Sequence, residues 1–202
     1  MKIAVLPMGA IGTNCYVISD ENGIAAIIDC DGDPTPLFGY ITENNLTPTH
    51  ILLTHGHFDH IGAVRIVQEK YDCKVYAGEK ESRVLSSAEI NHSLYSGTPL
   101  TIEPDAWVSD GEIIHVGMLE FKTMFTPGHT EGSVCFICND CIFSGDTLFQ
   151  GSCGRTDLAT GDWATIMQSL KRLRDLPGDY HVYPGHGPHT TLEAERLSNP
   201  YM

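Results

Sequence analysis

The chain has 202 residues, enough for one well-buried domain at roughly 150 residues per domain, so a single domain over residues 1–202 is expected. Twelve basic against 26 acidic residues give a formal charge of −14, which repels phosphate backbones and anionic bilayers and argues against nucleic-acid or membrane partners. Hydrophobic content of 42% with 19% charged residues excludes a disordered or fibrous class.

The opening run 1–6 is briefly apolar but is broken by Pro7 and Gly9, with no cleavage-site pattern behind it. No run reaches the roughly 18 apolar residues of a membrane span. Seven cysteines, an odd number with no signal peptide, point to reduced thiols and a cytoplasmic location.

The first third reads as strand, strand, strand, helix, strand. Residues 16–18 and 24–28 flank Asp20-Glu21-Asn22-Gly23, and an Asn-Gly pair between β-rich runs signals a hairpin. Asp33-Pro34 predicts an N-cap with proline at the first helical position, opening a helix to about Asn44. Residues 51–54 suit a strand buried on both faces, and Ile61, Val64, Val67 and Tyr71 then recur at helical spacing. A strand over 73–77, a short helix over 79–86 and an irregular stretch over 87–101 follow, the last a candidate substrate-facing loop. From Trp107 to Phe143 the chain is β-rich, with turns at Asp110-Gly111, Val116-Gly117 and Asn139-Asp140. Asp162 caps a helix whose Trp163, Ile166, Met167, Leu170 and Leu173 form one apolar face, closed by Pro177-Gly178. The basic cluster Lys171, Arg172 and Arg174 on that helix reads as a solvated face. Residues 181–183 are expected as the last strand and 191–197 as a terminal helix. Two successive units mixing strands and helices suggest a duplicated α/β arrangement.

Chemistry concentrates behind the strand at 51–54. His55, His57, Asp59 and His60 place four potential metal ligands within six residues, between a strand and a helix N-terminus. Thr126-Pro127-Gly128-His129, Ser144-Gly145-Asp146 and Tyr183-Pro184-Gly185-His186 are alike in kind. Each ends a β-like run with a glycine, which turns the backbone sharply and leaves the following His or Asp projecting from the strand end. Imidazole nitrogen and carboxylate oxygen suit zinc and also accommodate iron and manganese. Seven such ligands exceed the four of one tetrahedral zinc, so two metals sharing one carboxylate fit the count. Burying this cluster is costly unless metal pairs with it.

Cys135, Cys138 and Cys141 look like an iron–sulfur or zinc spacing. Strand alternation around Asn139-Asp140 turns Cys135 and Cys138 to opposite faces, so no such site is expected. Cys15, Cys73 and Cys153 read as packing residues. His50, His92, His115, His181 and His189 match no ligand position and read as surface or hydrogen-bonded residues.

Together with Thr13-Asn14-Cys15-Tyr16 and Gly154-Arg155-Thr156-Asp157, these motifs in this order resemble the metallo-β-lactamase superfamily. Within it they resemble the short glyoxalase II-like, or hydroxyacylglutathione hydrolase-like, hydrolases. The resemblance spans essentially the whole chain. It implies an α/β fold, an αββα sandwich of two β-sheets flanked by helices, with two divalent metal ions, zinc foremost, in a cleft at one edge. It puts His55, His57 and His129 on one metal and Asp59, His60 and His186 on the other, with Asp146 bridging. A binuclear hydrolase follows, cleaving a small-molecule thioester of the hydroxyacyl-glutathione type with a metal-bound hydroxide that Asp59 helps orient.

The family has an aspartate at Asp29 near the site, which reads either as a hydrogen-bond partner of a ligand histidine or as a turn residue of Asp29-Cys30-Asp31-Gly32, and commonly a proline where this chain has Cys30. Arg155 is a candidate for holding a substrate carboxylate. Pairing with Asp157 would instead brace its loop, and that is the expected role. The C-terminal helical region that supplies glutathione-binding residues in full-length glyoxalase II has no counterpart after Asn199-Pro200-Tyr201, so glutathione is not a fixed part of the expected substrate. The alternative is a mono-iron persulfide dioxygenase of the same superfamily, which shares the run Cys153-Gly154-Arg155-Thr156-Asp157. Pro184-Gly185-His186-Gly187-Pro188 departs from that group's pattern. A nuclease is disfavoured by the acidic charge, and a true β-lactamase by the missing secretion signal and the bridging aspartate.

Overall fold

The computed structural model describes residues 1–202, and its first half passes from hairpins to crossovers. Strands β1 (Lys2–Met8), β2 (Thr13–Ser19) and β3 (Ile24–Ile28) pair antiparallel, with Asn22-Gly23 in the turn between the last two. Helix α1 (Thr35–Glu43) then crosses to β4 (Thr47–Leu53), which lies parallel to β3. Helices α2 (Phe58–Ile61) and α3 (Val64–Tyr71) cross to β5 (Lys74–Gly78). A 3₁₀ turn (Glu79–Glu81), α4 (Ser82–Leu85) and the irregular stretch lead to β6 (Ala106–Val108). The six strands follow chain order across the sheet.

The second half builds its own six-stranded sheet. Strands β7 (Ile113–Val116), β8 (Leu119–Phe125), β9 (Val134–Cys138) and β10 (Cys141–Gly145) form an antiparallel meander. After the small hairpin β11 (Leu148–Phe149) and β12 (Ser152–Cys153), helix α5 (Trp163–Arg174) returns the chain to β13 (His181–Pro184), parallel to β10. Strand β14 (Thr190–Thr191) closes the edge, and α6 (Leu192–Ser198) ends the fold.

Period-two alternation sorts the strand side chains into layers. On β2, Tyr16 and Ile18 face the second sheet while Cys15 and Val17 face the helices, and β3 repeats this with Ala26 and Ile28 against Ala25 and Ile27. The inter-sheet layer is filled by Phe121, Phe136 and Phe143, all fully buried. Leu37, Ile41, Val64 and Val67 of α1 and α3 cover the outer face of the first sheet, and Leu170, Leu173 and Leu192 of α5 and α6 that of the second. Helices outside two facing sheets make the expected αββα sandwich.

Caps fall close to the expected places. Asp162 accepts from Thr165 N–H at 2.7 Å and Thr191 from Ala194 N–H at 3.2 Å. Helix α1 starts one residue late, with Pro34 as its cap and Asp33 Oδ1 accepting from Thr35 N–H and hydroxyl. The periodic run 61–71 is two helices, because Cys30 N–H donates to His60 O and Ala63 N–H to Cys30 O, diverting these groups from the helical ladder while Gly62 and Ala63 keep right-handed backbone. A proline at 30 would have no N–H to give here. Residues 181–183 are not the last strand, since the short β14 follows.

Cys135 and Cys138 do lie on opposite faces of β9, and all seven cysteines are free. Lys171 and Arg174 both pair with Asp175, and Arg172 pairs with Asp110. No helix is long and apolar enough to cross a membrane.

Candidate metal centre

Strand ends from both sheets meet at one edge of the sandwich. His55 and His57 leave the C-terminal end of β4, His57 caps α2, and Asp59 and His60 sit in its single turn. His129 follows β8, Asp146 follows β10 and His186 follows β13. Six of these seven side chains are buried or nearly so, and His186 is the most exposed at 26%. Gly185 permits this convergence, because a Cβ there would come within 2.2 Å of Asp146 Oδ1 and 2.8 Å of His60 Cε1. Gly128, at φ +131°, lets the His129 turn lie directly on the start of α5.

Three sets of donor atoms cluster within 4.8 Å: His55, His57 and His129; His55, His60 and Asp146; and Asp59, His60 and His186. Several outward ring nitrogens are already tied, which fixes what the inward ones offer. His129 Nδ1 lies 2.8 Å from Arg155 O, so it donates there and Nε2 carries the lone pair. His60 Nδ1 lies 2.7 Å from Asp29 Oδ2, and His55 Nδ1 lies 3.1 Å from Thr54 Oγ1. His57 Nδ1 and His129 Nε2 approach to 2.9 Å, aimed at the same space. Asp146 lies between the groups, 3.7 Å from His129 Nε2 and 3.4 Å from His60 Nε2.

The electrostatics divide the cluster in two. Burial, reinforced by neighbouring imidazoles, holds His55 well below the usual histidine range and pushes His57 down to about 3. Burial likewise lowers His129, so this trio is neutral, as metal ligands must be. Burial would lower His60 too, but Asp59, Asp29 and Asp146 outweigh it and hold the ring well above its usual range. For Asp59 and Asp146, burial is outweighed in turn by His60 and its neighbours, and both carboxyls lie below their usual range. His186 is raised by its hydrogen bond to Asp59. The buried Nε2 atoms of His55, His57 and His60 and Oδ1 of Asp146 have no hydrogen-bond partner. The unpartnered Nε2 atoms of His55 and His60 and Oδ1 of Asp146, with His57 turning Nδ1 to the same space, fit divalent cations, which would take the place of the proton on His60 and offset the negative charge of the carboxylates.

A sequence model of the family described as "Metallo-beta-lactamase superfamily" matches residues 8–186. The chain belongs to the metallo-β-lactamase superfamily. A Bacillus subtilis relative named "Probable metallo-hydrolase YqgX" is 40% identical, over 100% of this chain and 98% of its own. Hydroxyacylglutathione hydrolase GloC of Haemophilus influenzae is 35% identical with the same coverage. Among solved structures, BLEG-1 B3 metallo-β-lactamase matches with a TM-score of 0.93 at 38% identity, over 99% of each chain. TTHA1623 in a di-iron-bound form matches at 0.88 and 34%, over 98% of this chain and 100% of that one. ETHE1 from Myxococcus xanthus matches at 0.82 and 30%, over 99% and 84%.

In this metallo-β-lactamase fold the supporting residues surround the donor atoms from both halves of the chain. Asp29, expected beside the site, accepts from His60 and from both N–H and hydroxyl of Thr54. Thr13 Oγ1 donates to Asp59 Oδ2 at 3.2 Å, while Asn14 Nδ2 donates to Pro184 O and Gly187 O on either side of His186. Arg155 spends its guanidinium on Asp157 in two 2.7 Å bonds, and both side chains are exposed. It braces the loop whose carbonyl holds His129. His92 corrects the reading of it as a surface or hydrogen-bonded residue. Its ring centroid stands 5.6 Å from that of His57, with Nε2 buried and unpartnered, in a left-handed backbone at φ +66°.

Glu81 is also new, a fully buried carboxylate that burial pushes up to about 7 against the donors around it. Below about pH 4.5 the folded and unfolded chains both hold its proton. As pH rises to about 7 only the folded chain still does, so stability falls through that window, and above it the full cost of the buried charge stands. Denaturant titrations of metal-free protein at pH 5 and pH 8 should therefore find Glu81→Gln gaining on the unaltered chain at the higher pH. An unchanged difference would mean that Glu81 ionises normally.

Proposed function

We propose that the chain is a two-metal hydrolase of acyl thioesters, with His55, His57 and His129 on one ion, Asp59, His60 and His186 on the other, and Asp146 shared. The observation that carries this reading is the convergence of unpartnered ring nitrogens on both sides of Asp146, with the outward nitrogens of His60 and His129 anchored. When bound, the ions would supply a water of lowered pKa and positive charge facing the developing oxyanion. Asp59, held by Thr13 and His186, offers a carboxylate to orient the attacking water. Asp29 keeps the His60 ring turned inward, and the Arg155 carbonyl does the same for His129. A thiolate leaves without a dedicated general acid, which suits a site with no further titratable group assigned to that task.

The thioester class is supported by the full-length likeness to GloC. Nitrogen and carboxylate donors favour zinc, and the di-iron form of TTHA1623 makes iron the competing outcome. The run Cys153–Asp157 and the likeness to ETHE1 sustain the second reading, a mono-iron persulfide dioxygenase. The test measures metal content and, on the same sample, turnover of acyl-glutathione and other thioesters, a lactone, a phosphodiester, a β-lactam and glutathione persulfide. Thioester cleavage with two metals per chain is expected. His57→Ala should lose one metal and lower the rate by on the order of a thousandfold, several kcal/mol of transition-state stabilisation. One iron with sulfite production, or turnover of the β-lactam alone, would overturn the thioesterase.

A further inference from the structure

Glu81 lies in the 3₁₀ turn after β5, flanked by Glu79 and Lys80, yet it is the only one of the three that is fully buried. Its Oε1 accepts from Gly56 N–H at 2.8 Å, and Gly56 stands between His55 and His57. Its Oε2 accepts from Thr130 Oγ1 at 2.9 Å, and Thr130 directly follows His129. The backbone of Gly132 also favours the charged carboxyl. A Cβ at Gly132 would lie 2.3 Å from Glu81 N and 2.5 Å from Oε2, so the turn behind His129 is shut onto this carboxylate. A Cβ at Gly56 would meet Leu85 and Val84 of α4 at 2.9–3.0 Å, so the helix that Glu81 introduces is pressed onto the His55-Gly56-His57 segment. No cation pairs with Glu81; every partner is a neutral donor. A buried charge held this way is costly for folding, and what it secures is the spacing of two loops.

We infer that Glu81 is a positioning residue for the three-histidine half of the centre, locking the loop of His55 and His57 against the loop of His129. The inference rests on the reading of those histidines as ligands of one ion. One rigid, planar carboxylate spans both loops, so a movement of either relative to the other breaks a charge-assisted hydrogen bond. Glutamine has nearly the same shape but one acceptor oxygen, so its amide nitrogen must face a donor.

The test is chelator competition on zinc-loaded protein, with Glu81→Gln placed in the unaltered chain, in His57→Ala and in His186→Ala. In His186→Ala, which retains the three-histidine group, Glu81→Gln should weaken zinc about tenfold. In His57→Ala, which retains the other group, it should change zinc affinity less than twofold. Equal weakening in both backgrounds, or none in either, would overturn the inference, because a general loosening of the fold would not choose between the two ions. If His57→Ala alone still held two zinc ions at unaltered affinity, the ligand reading itself would fail. If His57→Ala lost one ion while Glu81→Gln lost nothing in any background, Glu81 alone would be misassigned.

Discussion

Asp146→Asn is expected to leave about one tightly held metal per chain and to lower hydrolysis on the order of a thousandfold. The side chain keeps its shape, so the loss traces to one charge and one acceptor. Asp146 is the carboxylate between the two groups, with His129 on one side and His60 and His186 on the other. Those imidazoles hold it in the charged form. In asparagine one of the two oxygens becomes an NH2 whose hydrogens point at ring nitrogens that offer lone pairs, so one group faces a donor where it had an anion. Metal analysis after dialysis, together with the rate on the best thioester, checks this. Two ions retained at unaltered affinity would show that Asp146 is not shared.

Asp29→Asn should act on the fold as well as on the chemistry. Asp29 takes three donors at once: Thr54 N–H at 2.9 Å, Thr54 Oγ1 at 2.6 Å and His60 Nδ1 at 2.7 Å. It does so from a left-handed backbone at φ +52°, which asparagine tolerates better than alanine. The amide leaves one buried donor facing another, a cost of about 2–3 kcal/mol. It also frees the His60 ring to rotate, so metal affinity should fall about 10- to 100-fold. Denaturant unfolding reads the first effect and chelator competition the second. If both stay within error, Asp29 is merely a turn residue.

Much of this was legible because the ligand positions are locally marked. A short apolar run, a glycine and then a His or Asp describe His129, Asp146 and His186 within four residues each, and the histidine cluster sits directly after β4. The layered fold was legible for the same reason, since strand alternation and helix caps are short-range signals. Glu81 and His92 carry no such mark, and Thr13 and Asn14 stand in a motif whose bonds to Asp59 and to the His186 loop their spacing does not show. Glu81 reads as one charge among three at a helix start, and only the closing of β5 against the His129 turn turns it inward. The division of 61–71 into two helices escaped because side-chain spacing records nothing of the backbone bonds that Cys30 makes to His60 and Ala63. His92 escaped because its loop has no periodicity and folds back on His57 by long-range contacts alone.

The division of donors between the sheets carries a mechanical consequence. His55, His57, Asp59 and His60 come from the half of the chain that forms the first sheet, while His129, Asp146 and His186 come from the half that forms the second. An ion held by His55, His57 and His129, or by Asp59, His60 and His186, therefore rivets the two halves together at the edge of the sandwich, in addition to the aromatic layer that joins their faces. Such a rivet raises the free energy of separating the sheets by its own affinity for the folded chain, so saturation with metal and resistance to unfolding rise together.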